Sequence, residues 1–280
     1  MRCCVLILLL LMAGCGARTT PARQTATLQV AASDENLNAV LWMQTAVEYE
    51  ASAIQAYRLA QQQLDVALNT PSWTAAVEQT GTVDGLPAAV VIDIDETALD
   101  NSSYQARLVR DAATYSEETW NAWVEERRAS AVPGALAFTR YAAERGITVF
   151  YVTNRTRAEE AATRENLAAL GFPLQARADT VLTRGERSEW TSSNKAARRA
   201  HVAREFRILL LIGDDLGDFV PDASGTPQQR RARAQVYADR WGRDWIVLPN
   251  PAYGSWERAL VGASRDPAAA KRRALRFEPE

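Results

Sequence analysis

Residues 88–97 read AAVVIDIDET, a short apolar run that ends in acidic residues. The run from Ala88 to Ile94 is typical of a buried strand in a parallel sheet. Side chains two residues apart lie on the same side of a strand, so Asp93 and Asp95 are expected to lie together at its end. Two carboxylates at such a short distance repel each other, and a cation such as Mg²⁺ relieves the repulsion. Taken alone, the pair also fits a plain turn or the cap of a following helix.

Further apolar runs alternate with helical patterns along the chain. We predict strands at 147–152, 180–182, 206–212 and 245–248, and helices near 116–129, 134–145, 156–170, 191–204 and 226–241. The helix from Thr156 shows a capping box with Glu159 and stops at Gly171. This alternation predicts an α/β fold in which helices cover both faces of a parallel sheet and ligands bind at the carboxyl ends of the strands.

A helical region precedes the sheet. One long helix is predicted over about 37–68, and Trp73 to Gln79 fits a short second helix. We therefore assign residues 34–86 to an N-terminal helical subdomain, residues 87–262 to the α/β core with a small helical insertion near 100–132, and residues 263–280 to a C-terminal tail.

The N-terminus has the pattern of a secretion signal. An apolar run from Val5 to Met12 ends in Ala-Gly-Cys15 and is too short to span a bilayer, which takes roughly 20 apolar residues. Residues 12–15 resemble the lipobox of bacterial lipoproteins, with methionine where leucine is commoner. The resemblance implies a signal peptide over 1–14, acylation of Cys15 and a tether over 15–33. An ordinary signal peptide with a chance cysteine is the alternative.

Composition narrows the chemistry. The chain has 280 residues, 47% of them apolar and 24% charged, and a net charge of −2, which gives no basic field for nucleic acid. The single histidine, His201, excludes zinc sites built from several histidines; we interpret it as a helix-face residue. All three cysteines lie within the first 15 residues, which leaves no thiol nucleophile in the body of the chain.

Polar residues mark the ends of other strands. Thr153 and Asn154 precede a helix and fit an anion site or a simple helix cap. Lys195, one of two lysines in the chain, opens another helix, where an ammonium suits pairing with a carboxylate and a phosphoryl group. One acidic loop after the strand that ends at Ile212 carries Asp214, Asp215 and Asp218. This loop is either a solvated turn or, with the first aspartate pair, a metal site, and we favour the metal.

In this order on successive strand ends, these residues resemble the haloacid-dehalogenase (HAD) superfamily of phosphohydrolases. Residues 93–102, with segments at 41–49, 120–134 and 249–257, are similar to the class C bacterial acid phosphatases, outer-membrane lipoproteins described as acid phosphatases and 5′-nucleotidases. The similarity runs from about residue 36 to 260. It implies a HAD-like, Rossmannoid three-layer fold.

The resemblance also implies a role for each matching residue. Asp93 would be the nucleophile that forms an aspartyl-phosphate. Asp95 would protonate the leaving group and then activate water. Thr153 and Asn154 would bind the phosphoryl oxygens, and Lys195 would neutralise the nucleophile and the transferring group.

A divalent cation belongs to this implied site. Asp93 and Asp214 would ligate Mg²⁺ directly, and the backbone carbonyl of Asp95 would also reach it. Asp215 or Asp218 would support the metal from an outer shell. Oxygen ligands favour Mg²⁺, although Mn²⁺ or Co²⁺ would also fit.

The substrate follows less directly from the residues. Class C relatives hold a nucleobase between aromatic rings, and the candidates here are Tyr253 with Trp120 or Trp123. The spacing of the two tryptophans fits the core face of a helix equally well. We expect nucleoside 5′-monophosphates as substrates of a protein held by a lipid anchor in the outer membrane. A homodimer is compatible with the sequence. The alternatives are a HAD phosphatase for sugar phosphates and a non-catalytic binding lipoprotein, which would be expected to lack at least one of the site residues.

Overall fold

The computed structural model describes residues 36–175 and 178–277. Its strands are β1 Ala88–Ile92, β2 Leu99–Asp100, β3 Ser130–Ala131, β4 Thr148–Thr156, β5 Val181–Arg184, β6 Arg207–Gly213 and β7 Trp245–Val247. Its α-helices are α1 Leu37–Thr45, α2 Val47–Leu68, α3 Ser102–Arg110, α4 Glu117–Glu125, α5 Ala135–Glu144, α6 Glu160–Leu170, α7 Ala196–Ala203, α8 Pro227–Val236, α9 Ser255–Val261 and α10 Pro267–Ala274.

A five-stranded parallel sheet forms the centre of the fold, in the order β5-β4-β1-β6-β7. The strands are buried on both faces because their apolar side chains alternate between two cores. In β1, Val90 and Ile92 pack with α2, α5 and α6, whereas Ala89 and Val91 pack on the opposite face, where α7 contributes Val202. The sheet covered on both faces confirms the predicted three-layer α/β fold. Its carboxyl edge therefore gathers the ends of β1, β4 and β6.

The helix predicted over 37–68 is interrupted. Ala46 has an extended backbone (φ −83°, ψ 126°) and separates α1 from α2. No proline or glycine marks this break. Tertiary packing accounts for it, because Met43 on α1 and Tyr49 on α2 converge in one small apolar cluster with Ala252, far away in sequence.

The short helix predicted for Trp73 to Gln79 does not form. Long-range hydrogen bonds hold this segment against the start of β6 instead. The Ala75 N–H donates to the Ile208 carbonyl at 2.8 Å, and the Trp73 indole donates to the Leu209 carbonyl at 2.8 Å. The Gln79 side chain accepts from the Ile208 N–H at 3.0 Å. The Ala75 N–H is thus satisfied by β6 rather than within a helix, and the Trp73 and Gln79 side chains fix the segment on either side of it.

Several predicted boundaries shift by a few residues. The helix predicted over 191–204 starts only at Ala196, and the one over 226–241 ends as an α-helix at Val236 before a short 3₁₀ turn. The capping box of Thr156 and Glu159 is present, although it opens a 3₁₀ turn that leads into α6. Gly171 ends α6 in the left-handed region (φ 83°).

The insertion after β1 contains α3, α4 and the short antiparallel ribbon of β2 and β3. The described residues form one compact unit, in which α2 packs directly on β6 and β7. The signal peptide, Cys15 and the tether lie outside the described residues. Within the described residues, no helix is both long and apolar enough to cross a membrane.

Candidate active site

Two neighbouring strands place the central carboxylates. Ile92 of β1 pairs with Ile212 of β6, so the residues that follow meet at the same edge of the sheet. The Asp93 N–H donates to the Ile212 carbonyl at 2.9 Å, so the hydrogen bonding between β1 and β6 continues one residue beyond the end of β1. Carboxylate oxygens of Asp93, Asp214 and Asp218 lie within 4.8 Å of one another.

Lys195 supplies a positive charge to this cluster. Its Nζ donates to Oδ1 of Asp93 and to Oδ1 of Asp218, the second contact being 2.5 Å. All three of these residues are buried, with at most 7% exposure. The lysine lies directly before α7, which packs against β4 and β6 and brings the ammonium to the strand ends. The predicted pairing of Lys195 with a carboxylate is present in the structure.

Burial sets the protonation of the cluster. Burial raises the pKa of Asp93 to about 7, with Lys195 opposing the shift and the charges of Asp218 and Asp95 adding to it. Burial, together with the charges of Asp93 and Asp218, also raises the pKa of Asp214 well above its usual range. For Lys195, burial lowers the pKa, but the charges of Asp218 and Asp93 outweigh it, and the pKa lies above the ordinary lysine value. The single positive charge of Lys195 therefore does not neutralise the carboxylates of the cluster.

The donor set fits a divalent cation. When all four groups are ionised, the three carboxylates and the Lys195 ammonium have a net charge of −2. Several carboxylate oxygens close together are hard ligands of the kind that Mg²⁺ prefers. The side chain of Asp95 is not part of the cluster; it turns toward Arg155 and Asn101.

Asp215 and Asp218 have different partners within the acidic loop. Asp215 accepts hydrogen bonds from the Ser255 N–H and hydroxyl, both at 2.6 Å, and from the Gly217 N–H at 2.8 Å. Burial alone would raise the pKa of Asp215, but these hydrogen bonds outweigh it and hold the pKa below its usual value. Asp218 instead faces Lys195 and folds back closely over Gly213, where a Cβ would overlap the Asp218 side chain. Of the two residues proposed as support for a metal, Asp218 is therefore the one in the cluster.

Thr153 and Asn154 lie at the end of β4. The Thr153 hydroxyl accepts from the Arg155 N–H at 3.0 Å and lies 3.5 Å from Oδ2 of Asp95. Arg198, fully buried on α7, donates to the Thr153 carbonyl and, at 2.8 Å, to Oδ1 of Asn154. The loop proposed to bind phosphoryl oxygens is therefore fixed to the same helix that follows Lys195.

Arg199 extends this arrangement to the acidic loop. It is fully buried, donates to the carbonyls of Gly217 and Asp218 at 3.0 and 2.9 Å, and forms an ion pair with Glu78 at 2.6 Å. Sequence reasoning missed both arginines. Their spacing of three and four residues after Lys195 places all three cations on one side of the same turn, which is the signal that was available.

The candidate aromatic residues have different surroundings. Trp123 is 3% exposed, and its indole donates to Oδ1 of Asn101 at 2.9 Å, so it is a core residue without a face for a base. Trp120 is half-buried, 5.1 Å from the Tyr104 ring and 5.4 Å from the Arg155 guanidinium. Of the two tryptophans proposed to stack on a nucleobase, Trp120 is therefore the one with a partly exposed ring, and its stacking role stays a prediction.

Tyr253 is half-buried and belongs to a loop that reaches the carboxylate cluster. Asn250 donates from Nδ2 to Oδ2 of Asp214 at 2.7 Å and accepts from the Tyr253 N–H at 3.3 Å. Asn250 thus connects Tyr253 to the site, a role that the sequence did not reveal. His201 packs its ring on Trp190 at 5.3 Å, as expected for a helix-face residue.

Comparison with known proteins agrees with this geometry. The family model for the acid phosphatases of HAD superfamily subfamily IIIB matches residues 14–256. The chain belongs to this family of acid phosphatases.

Solved acid phosphatases support the assignment. The class C acid phosphatase from Bacillus anthracis is 32% identical, with a TM-score of 0.76 over 88% of this chain and 99% of that one. The same enzyme with tungstate bound is 31% identical, with a TM-score of 0.78 over 89% and 100%. Both agree with the class C resemblance stated from the sequence, which is confirmed.

A plant protein is similar over a shorter stretch. Acid phosphatase 1 of Solanum lycopersicum is 28% identical over 166 residues, which are 58% of this chain and 57% of that protein. The match therefore spans little more than half the length of this relative.

The raised pKa of Asp93 predicts a pH-dependent response to metal. The unfolded carboxyl titrates near 3.9 and the folded one at about 7, so ionisation of Asp93 costs the metal-free protein stability as the pH rises between these values. A bound cation offsets this cost. We expect Mg²⁺ to raise the thermal unfolding midpoint by about 5 °C near pH 8 and by much less near pH 5.

Differential scanning fluorimetry with Mg²⁺ or EDTA across this pH range measures the effect. Asp93→Asn, which removes one of the titrating carboxyls and a proposed metal ligand, should show smaller Mg²⁺ shifts than the unmodified protein near pH 8. Equal Mg²⁺ shifts at acidic and alkaline pH in the unmodified protein would contradict the prediction.

Proposed function

We propose that this chain is a Mg²⁺-dependent acid phosphatase that hydrolyses phosphomonoesters through an aspartyl-phosphate on Asp93. One observation carries the proposal. The Asp93 carboxylate is buried against the Lys195 ammonium and beside Asp214 and Asp218, in a chain that belongs to a phosphatase family. A carboxylate nucleophile held among groups that can bind cations is what attack on an anionic ester requires.

The residues that would hold the metal are Asp93, Asp214, the backbone carbonyl of Asp95 and, in support, Asp218. A bound Mg²⁺ would neutralise negative charge on the carboxylates and on the phosphoryl oxygens. The Lys195 ammonium also neutralises negative charge, since it already donates a hydrogen bond to the Asp93 carboxylate.

In the first step, a carboxylate oxygen of Asp93 attacks phosphorus. The new O–P bond forms while the bond to the leaving oxygen breaks. Asp95 gives its proton to that oxygen, so an alcohol leaves rather than an alkoxide. Thr153 and the amide groups near Asn154 hold the phosphoryl oxygens during the transfer.

In the second step, water attacks phosphorus and breaks the bond to Asp93. Asp95 takes the proton from that water, which restores its acid form and releases inorganic phosphate. The two carboxyls must start in opposite states, Asp93 ionised and Asp95 protonated. A mildly acidic activity optimum is the expected consequence.

Nucleoside 5′-monophosphates are the substrates that we propose. Tyr253 lies on the loop that Asn250 joins to Asp214, and Trp120 lies against the Arg155 guanidinium. Either ring would stack on a base with little regard to base identity. Tungstate, bound in the relative from Bacillus anthracis, is a tetrahedral oxyanion like phosphate and supports an oxyanion site here.

The expected result of a direct assay is phosphate release that needs both metal and Asp93. A fragment that starts near Thr19 should release phosphate from nucleoside 5′-monophosphates with Mg²⁺ but not with EDTA. Asp93→Asn should lower the rate by more than about 1,000-fold, because the nucleophile is gone. Asp84→Asn, an exposed aspartate on the loop before β1, is the matched control and should be fully active.

Two outcomes would redirect the proposal. Faster release from sugar phosphates than from nucleotides would favour the sugar-phosphate alternative. A folded protein that binds Mg²⁺ but releases no phosphate from any monoester would support a non-catalytic binding lipoprotein.

We also propose that a lipid on Cys15 holds the protein in the outer membrane. The support is the sequence pattern of residues 12–15 and the small residues before the cysteine. Cys15→Ser should move the protein, expressed with its leader in a Gram-negative host, from the membrane fraction to the soluble fraction. Cys4→Ser is the matched control and should stay in the membrane. If both variants fractionate alike, the anchor is elsewhere or absent.

A further inference from the structure

A buried arginine, Arg155, forms an ion pair with Asp95, the proposed proton donor. Arg155 follows Asn154 at the end of β4, and its side chain is 1% exposed, whereas that of Asp95 is 18% exposed. The Asp95 carboxyl is therefore accessible from solvent, whereas the Arg155 guanidinium is closed off from it. An effect of the Arg155 guanidinium on proton transfer would therefore act through Asp95, to which it donates, whereas its contact with the Trp120 ring would affect substrate binding.

The two oxygens of Asp95 have unequal partners. Oδ1 accepts from Arg155 Nε at 3.0 Å, from Arg155 Nη2 at 2.8 Å and from Asn101 Nδ2 at 3.0 Å. Three donors use the full acceptor capacity of one carboxyl oxygen. Among the described residues, Oδ2 has the Thr153 hydroxyl at 3.5 Å, which is too long for a strong hydrogen bond.

The guanidinium is itself fixed from several elements. Arg155 Nη1 donates to the Thr163 hydroxyl on α6 at 3.1 Å, and Nη2 also reaches Oδ1 of Asn101 at 3.3 Å. Asn101 in turn accepts from the Trp123 indole on α4 and donates its backbone N–H to Glu96 at 2.8 Å. A saturated buried network of this kind holds one arrangement.

We infer that Arg155 is a positioning residue that occupies Oδ1 of Asp95 and so makes Oδ2 the oxygen that exchanges protons in the reaction. The inference rests on the proposed function, in which Asp95 protonates the leaving oxygen. Oδ2 carries the proton, passes it to that oxygen as the O–P bond breaks, and takes it back from the attacking water. The planar fork of arginine, with two N–H groups on one oxygen, gives this orientation; a lysine ammonium does not.

Leaving groups of different basicity test the inference. A poor leaving group, as in an alkyl phosphate, needs the proton from Asp95, whereas 4-nitrophenyl phosphate needs it little. Arg155→Lys keeps the charge and loses the fork. Its kcat/KM, which reports the first phosphoryl transfer, should fall about 100-fold for alkyl phosphates and only a few-fold for 4-nitrophenyl phosphate. Arg157→Gln, an exposed arginine two residues further along, is the control and should change neither value.

A double-mutant cycle separates positioning from a purely structural role. In an Asp95→Asn background there is no proton donor to orient, so Arg155→Lys should no longer discriminate between the two leaving groups. An equal loss of kcat/KM on both substrates, or a selective loss that persists in the Asp95→Asn background, would overturn the inference. If Arg155→Lys does not fold, as judged by circular dichroism, Arg155→Gln takes its place, because a glutamine also lacks the fork that places two N–H groups on Oδ1; a selective loss then supports the inference and an even loss overturns it.

Failure of the proposed function would look different. An unmodified protein that hydrolyses neither alkyl nor nitrophenyl phosphate would refute the phosphatase itself. An active protein that Asp93→Asn silences, but in which Arg155→Lys lowers both rates equally, would refute only the role of Arg155.

Discussion

The carboxylates of Asp93, Asp214 and Asp218 share a site with the Lys195 ammonium, in which Asp93 and Asp218 are buried and Asp214 is half-buried. Bringing charges of one sign out of water is costly, and the raised pKa of Asp93 reflects that cost. The rest of the fold offsets this cost, since the strand ends and α7 hold the charged groups in fixed positions. The same excess of negative charge prepares the site for a metal ion, which would in turn allow an anionic ester to approach.

Buried arginines keep these positions. Arg198 attaches α7 to the end of β4, and Arg199 attaches it to the acidic loop after β6 and to Glu78. Arg155 attaches the end of β4 to Asp95. One short helix and the strand ends are thus joined by guanidinium groups that donate to carbonyl and carboxylate oxygens. Preorganisation of this kind lets a site act on developing charge without rearranging.

Local patterns in the sequence were enough to predict the α/β fold, which is confirmed, whereas the roles of the residues at the strand ends follow from the resemblance to the HAD superfamily and stay predictions. Asp93, Asp95 and Asp214 follow apolar strands and Thr153 lies near the end of β4, and parallel strands bring such residues to one edge. Contacts between distant segments were not visible in the same way. The pair of Arg199 with Glu78, the packing that breaks the helix at Ala46 and the pinning of Trp73 to Gln79 along β6 depend on three-dimensional proximity. The spacing of Trp120 and Trp123 fitted two roles, and only burial separated them.

The central claim is that Asp93 carries the phosphoryl group during turnover. Borohydride reduces an acyl phosphate but not a free carboxylate, and so converts a phosphorylated aspartate to homoserine. When the enzyme is quenched with borohydride during turnover, peptide mass spectrometry should find homoserine at position 93. Homoserine at another aspartate, or none at all in a sample that is turning over rapidly, would contradict the account.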